Sequence, residues 1–193
     1  MNARFLLPLA FALLLSACGT QPSRFYQLTA TPLPETGTTA PGRVIGLERV
    51  GVPGYLDRSE IVMRGSGSRL SVLEFDRWAG AIDGMMTRTL AQNLSAELGN
   101  AEVVELPVMR DVSLAQVVEV QIDRFDAAEN GPAVLEARWR IFGQGGDRLN
   151  RFGRTVAQEP VAAPGDPGAV ADALSRTLAR LARDIAGALG AGV

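Results

Sequence analysis

One thiol, no imidazole and no primary side-chain amine bound the chemistry open to this chain of 193 residues. Without His, the Ser-His-Asp and Cys-His arrangements cannot be built. All 19 basic residues are Arg, so neither a phosphate-loop lysine nor a Schiff base is available. That leaves carboxylates for proton transfer. Asp57, Glu60, Glu74, Asp76 and Asp83 fall within one stretch and could in principle pair as general acid and base. Each also has a plainer role: Asp76 is placed to cap a helix, and the others suit wet faces or ion pairs. No Asp/Glu cluster has calcium-loop spacing. Gly65-Ser66-Gly67-Ser68 fits neither a nucleophile elbow nor a dinucleotide fingerprint and reads as a turn. The formal charge is -2 with scattered Arg, which gives no electrostatic footprint for nucleic acid.

Cys18 is the single residue with a specific chemistry in its surroundings. Met-Asn-Ala-Arg is followed by an apolar run from Phe5 to Leu15 and then by Leu15-Ser16-Ala17-Cys18. This is the layout of an export signal with small residues at its cleavage point. The run rises only about 16 Å as a helix, against a bilayer core of about 30 Å. Leu-Ser-Ala-Cys resembles the bacterial lipobox, which implies removal of residues 1–17. It further implies a diacylglycerol on the Cys18 thiol and an acyl chain on the new amine. Two or more chains give stable anchoring. No other cofactor is expected. The mature part then has no thiol and no disulfide, which its length can sustain.

Residues 18–24 form a short tether of about 20 Å at full extension. Residues 25–193 read as one domain. Phe25 to Leu28 suggests a strand, and Thr29 to Gly42, rich in Thr, Pro and Gly, a loop. Arg43 to Val52 reads as a strand ended by Pro53-Gly54. Glu60 to Arg64 and Arg69 to Leu73 read as a hairpin around the Gly-Ser turn. A helix is expected over Arg77 to Leu98, capped by Asp76, with Trp78, Ile82, Met86, Leu90, Leu94 and Leu98 on its buried stripe. Met85 would widen that stripe.

Glu102 to Leu106 is a further strand. Ala115–Phe125, Val134–Phe142 and Arg151–Ala157 alternate as an antiparallel meander, with a turn over Gly143–Asp147. The last helix begins at Asp166-Pro167 and buries Val170, Leu174, Leu178, Leu181, Ile185 and Leu189. The fold class is therefore α+β: an antiparallel or mixed sheet covered by two amphipathic helices. Trp78 and Trp139 both sit on apolar sides, where core packing is the default.

Two stretches go beyond pattern. Tyr55-Leu56-Asp57-Arg58-Ser59-Glu60-Ile61-Val62-Met63-Arg64 resembles the YLDR-x-x-IV-x-R segment of the ABC-type transport auxiliary lipoproteins. Leu73-Glu74-Phe75-Asp76-Arg77-Trp78-Ala79, with Asn93-Leu94 further on, is similar to a second block of that family. Phe25-Tyr26-x-Leu28 fits it too, whereas Ala81-Ile82-Asp83-Gly84 departs from the bulkier or more acidic residues that members often carry. The region after Leu106 carries no matching motif. The resemblance implies a periplasm-facing, non-enzymatic accessory of a lipid transport system that docks on an MCE-domain protein, as a monomer or a homo-oligomer such as a ring. It places the anchor in the inner leaflet of the outer membrane. Tyr55, Asp57, Arg58, Arg64, Arg77 and Trp78 are its expected partner-binding residues. For Asp57 and Arg58 a fold-holding ion pair or loop hydrogen bonds are at least as natural a role. The other reading is an independent lipid-binding or shuttling module with a cavity between helix and sheet, suggested by the wide Trp78/Met85/Met86/Leu90 face.

Overall fold

The spine of the molecule is one long strand, Gln116–Ala128, whose two halves serve different neighbours. In the computed structural model the described residues are 21–30, 42–99, 101–108, 112–143 and 148–190. The signal segment 1–17, Cys18, most of the Thr29–Gly42 loop and most of the Gly143–Asp147 turn lie outside them. In chain order the strands are β1 (Arg24–Tyr26), β2 (Arg43–Leu47), β3 (Glu60–Arg64), β4 (Leu70–Trp78), β5 (Ala101–Glu105), β6 (Gln116–Ala128), β7 (Ala133–Phe142) and β8 (Leu149–Glu159). The helices are α1 (Ile82–Leu98) and α2 (Pro167–Gly190).

All eight strands join one mixed sheet. On one flank β6 pairs antiparallel with β7, and β7 with β8, which is the expected meander. On the other flank the first residues of β6 pair parallel with β2, and the last, Ala127 and Ala128, pair parallel with β3. The sheet therefore forks: β2 leads to β5, and β3 leads through β4 to β1. A short 3-10 turn, Gly54–Leu56, lies in the segment that crosses from one branch to the other.

Alternation decides which side is dry. Val118, Val120 and Ile122 of β6 are buried, as are Leu135, Ala137, Trp139 and Ile141 of β7. Both helices cover this side, α1 against β5 and α2 against β6, β7 and β8, and they pack on each other. The whole expected stripe of α2 is buried, each aliphatic side chain contributing about 1.5–3 kcal/mol. Asp166 caps α2 by accepting the Ala169 N–H at 2.9 Å. Among the described residues, no helix is long and apolar enough to cross a membrane.

The main departure from expectation concerns residues 76–81. The helix starts at Ile82 rather than Arg77, with Ala81 at the cap position and no side-chain cap. Asp76 and Trp78 belong to β4, which runs on past the hairpin to pair with β1 in parallel. The physical reason is a better partner than a helix terminus: Asp76 binds Arg24 and Tyr26 of β1. Trp78 remains a core residue, 5% exposed, but from a strand.

Candidate functional site

The Tyr55–Arg64 segment divides by side-chain direction into residues that hold the fold and residues that face outward. Tyr55 and Arg64 both turn onto Asp126 of β6, which is fully buried. Arg64 spans the carboxylate with both nitrogens, Nε to Oδ1 at 3.1 Å and Nη2 to Oδ2 at 2.7 Å. Arg124 Nε donates to Oδ1 at 3.0 Å, and the Tyr55 hydroxyl donates to Oδ2 at 3.1 Å. The same hydroxyl accepts the Phe125 N–H at 3.1 Å. Phe125 and Ala127 point into the core, so Asp126 lies on the opposite side of the strand, covered by Tyr55 and the two arginines. Burial alone would raise this carboxyl; the hydrogen bonds from Arg64 and Arg124 outweigh it and hold it below the usual carboxylate range. Burial likewise pushes the Tyr55 hydroxyl up.

A second carboxylate is built in the same manner. Asp76 accepts Arg24 Nε at 2.7 Å, Arg24 Nη2 at 2.9 Å and the Tyr26 hydroxyl at 2.9 Å. Desolvation opposes ionisation, and the bonds from Arg24 and Tyr26 again win, so its carboxyl is also held low. Of the other four carboxylates singled out in this region, Asp83 pairs with Arg49 at 2.6 Å and Glu60 with Arg77 at 3.7 Å. Carboxyls held ionised in arginine pairs are suited to locking strands together rather than to donating protons. Among the described residues no group of three or more Asp, Glu or Cys could hold a metal ion.

Asp57 and Arg58 behave differently. They lie with Ser59 in an exposed bend between Tyr55 and β3. Its backbone is pinned at both ends: Asp57 N–H donates to Gly54 C=O at 3.3 Å, Arg58 N–H to Leu56 C=O at 2.7 Å, and Trp78 N–H to Ser59 C=O at 2.7 Å. The two side chains are not paired with each other. Asp57 has no hydrogen-bond or ion-pair partner among the described residues, and Arg58 acts only at longer range on Glu60. The bend borders an open groove of about 370 Å³, whose wall includes Phe25, Trp78, Ala79 and Ile82. Phe25 is 66% exposed and stands opposite Arg77 in the β1–β4 register.

The six residues singled out in the sequence thus separate into three places. Tyr55 and Arg64 meet at Asp126, Trp78 is core, and Asp57, Arg58 and Arg77 share the surface around Phe25. Sequence reasoning passed over Asp126 and Phe25. The signal for the first was a carboxylate between Phe125 and Ala127 in an otherwise apolar strand end, a position that requires a partner.

The model of the ABC-type transport auxiliary lipoprotein component family matches residues 26–186, the domain just described from β1 to nearly the end of α2. The chain belongs to that family. This auxiliary lipoprotein component is 27% identical over 137 residues to the intermembrane transport lipoprotein PqiC of Escherichia coli (strain K12), covering 69% of this chain and 72% of the relative. The same figures hold for PqiC of Shigella flexneri. In fold it is similar to the crystal structure of an uncharacterized protein, with TM-score 0.72, 23% identity, and 88% of this chain and 99% of the other covered. Protein XCC0632 from Xanthomonas campestris has TM-score 0.70 and 16% identity, with 86% and 94% covered. Family membership makes the chain a lipoprotein accessory to a transport system.

Proposed function

We propose that this auxiliary lipoprotein is processed at Cys18, carries a diacylglycerol and an N-acyl chain there, and works from the periplasmic face of the inner leaflet of the outer membrane. In this reading it is a non-enzymatic subunit that docks on an MCE-domain protein of a lipid transport assembly. Asp57, Arg58 and Arg77 are its outward contact residues, while Tyr55, Arg64 and Trp78 support them from beneath. Residue Gly19, directly after the cysteine, is not the Asp associated with retention in the inner membrane of enteric-type bacteria.

The observation that carries the reading is the pinned bend at Asp57–Ser59. It lies inside the family segment, its backbone is fixed at both ends, and its two charged side chains have no hydrogen bond or ion pair among the described residues. A rigid loop with free charged heads is what a protein surface needs for selective docking, because little conformational freedom is lost on binding.

The test is mild-detergent purification of the tagged protein from native membranes, with co-purifying proteins identified by mass spectrometry. The wild type is expected to bring down an MCE-domain protein. Asp57→Ala with Arg58→Glu is expected to lose it while its circular dichroism and melting temperature stay unchanged. Recovery of the lipoprotein alone, or undiminished recovery by the folded variant, overturns the reading.

A further inference from the structure

We propose that the β1 edge of the sheet rests on the lipid leaflet, with Phe25 entering the headgroup layer. The inference rests on acylation of Cys18. It places the Asp57–Arg58 bend beside the membrane, so a protein that docks there meets the domain at the leaflet surface.

Three observations carry it. First, Phe25 is a large aromatic ring, 66% exposed, at the mouth of a groove whose floor continues through Trp78, Ala79 and Ile82. A Phe ring presented at a membrane surface buries its apolar area at the boundary of headgroups and acyl chains. Secondly, the chain fixes which edge lies nearest the anchor. Seven residue steps separate Cys18 from Phe25, about 25 Å at full extension and about 15 Å for a flexible chain. The β8 edge, one of the two other ends of the forked sheet, is reached along the path β1-β4-β3-β6-β7-β8, five strand spacings or about 24 Å away.

Thirdly, the charges around this edge carry no positive excess. Arg24 is paired with Asp76 and also feels Asp166, Arg77 is paired with Glu60, and Arg58 neighbours Asp57 in the bend. Three cations against four anions give this edge no net attraction to anionic lipid. The contact therefore depends on the ring and the tether. It should form on zwitterionic vesicles and survive added salt.

The rival surface is the outer side of β8, where Phe152, Val156 and Leu149 are 77%, 54% and 48% exposed. More apolar area is open there. It belongs to the edge remote from the anchor, and it adjoins a field of ion pairs, Arg138–Asp123, Arg140–Glu119 and Arg154–Glu136. The two edges make opposite predictions for one experiment.

Cys18 is the only cysteine in the chain, so its acylation leaves an introduced thiol unique. Spin labels are placed at Ser59→Cys, on the groove with Phe25, and separately at Val156→Cys on β8. The full lipidated protein is reconstituted in phosphatidylcholine vesicles, with and without phosphatidylglycerol. Collision with oxygen, which partitions into lipid, is compared with collision with a water-soluble nickel chelate.

The label at position 59 is expected to be several-fold more shielded from nickel than the label at 156, in both lipid mixtures and at high salt. Phe25→Glu should abolish that shielding while the label at 156 and the circular dichroism stay as they were. A label at 59 as open to nickel as the one at 156, or shielding confined to 156, overturns the contact. Intact-mass measurement separates the two levels of failure. A protein without acyl chains removes the anchor and the contact together. An acylated protein whose position 59 stays in water removes the contact alone.

Discussion

Replacing Asp126 by Asn keeps the shape of the buried side chain and deletes its charge. Two arginines and a tyrosine then converge on a neutral amide. The four bonds at stake are those from Arg64 Nε and Nη2, Arg124 Nε and Tyr55 Oη. Breaking a buried ion pair costs about 3–5 kcal/mol when the remaining charge is stranded. Here the Arg64 and Arg124 side chains keep 29% and 28% of their exposure, so water relieves part of that penalty. The expected loss is about 2–3 kcal/mol. In a domain of this size that is a fall of about 4–12 °C in melting temperature, read by circular dichroism. The acid limb supplies a second signature. The folded Asp126 carboxyl lies below its unfolded value. Its contribution is therefore complete above about pH 4, the ordinary Asp range, and is lost as pH falls through the depressed folded value. Asp126→Asn should flatten the stability profile below about pH 4, whereas the surface pair Asp57→Ala, Arg58→Glu should leave it in place. An Asn variant within about 0.5 kcal/mol of the parent, with the acid limb intact, would refute the assignment of Asp126 as the lock between β3, β6 and the 3-10 turn.

Tyr55→Phe removes a donor to Asp126 and the acceptor of the Phe125 N–H, and should cost about 1–3 kcal/mol by chemical denaturation. Its effect should be smaller in an Asp126→Asn background, since the two side chains touch. Gly153→Ala would drive a methyl into the Trp139 ring at Cζ2, where the indole lies across the strand while donating to Thr155 Oγ1. A loss of about 1–3 kcal/mol from overpacking is expected, with a changed near-ultraviolet tryptophan spectrum. A variant with parental stability and an unaltered spectrum would show that the ring moves aside without cost.

What the sequence disclosed follows from where periodicity was strong. The meander and the α2 stripe could be read almost residue by residue, because Val118, Val120 and Ile122 and the run Val170 to Leu189 report one buried face at a fixed period. The start of α1 could not, because Asp76 before an apolar stripe satisfies the same local rule as a helix cap. Only the parallel approach of β1, fifty residues earlier, shows that its carboxylate belongs to Arg24 and Tyr26. The fork was hidden for a similar reason: that one strand serves β2 at its start and β3 at its end is a matter of assembly, not of composition. Asp126 was legible only as an anomaly: Arg124 stands two residues away, but Arg64 and Tyr55 lay some sixty and seventy residues away.

The motif segment joins these levels. Tyr55 and Arg64 bracket the Asp57–Ser59 bend and both attach to one buried carboxylate, while Trp78 N–H holds the bend through Ser59 C=O. The bend is thus strung between fixed points, and its exposed charges are presented in one geometry. The residues expected to bind a partner and those expected to hold the fold are therefore not alternatives. Half of the segment is the clamp, and the other half is what the clamp displays. Loosening the clamp should weaken docking without touching any docking residue, through a less ordered bend rather than a lost contact. The resulting loss should follow the loss of stability in Tyr55→Phe and Asp126→Asn, whereas Asp57→Ala with Arg58→Glu should separate the two.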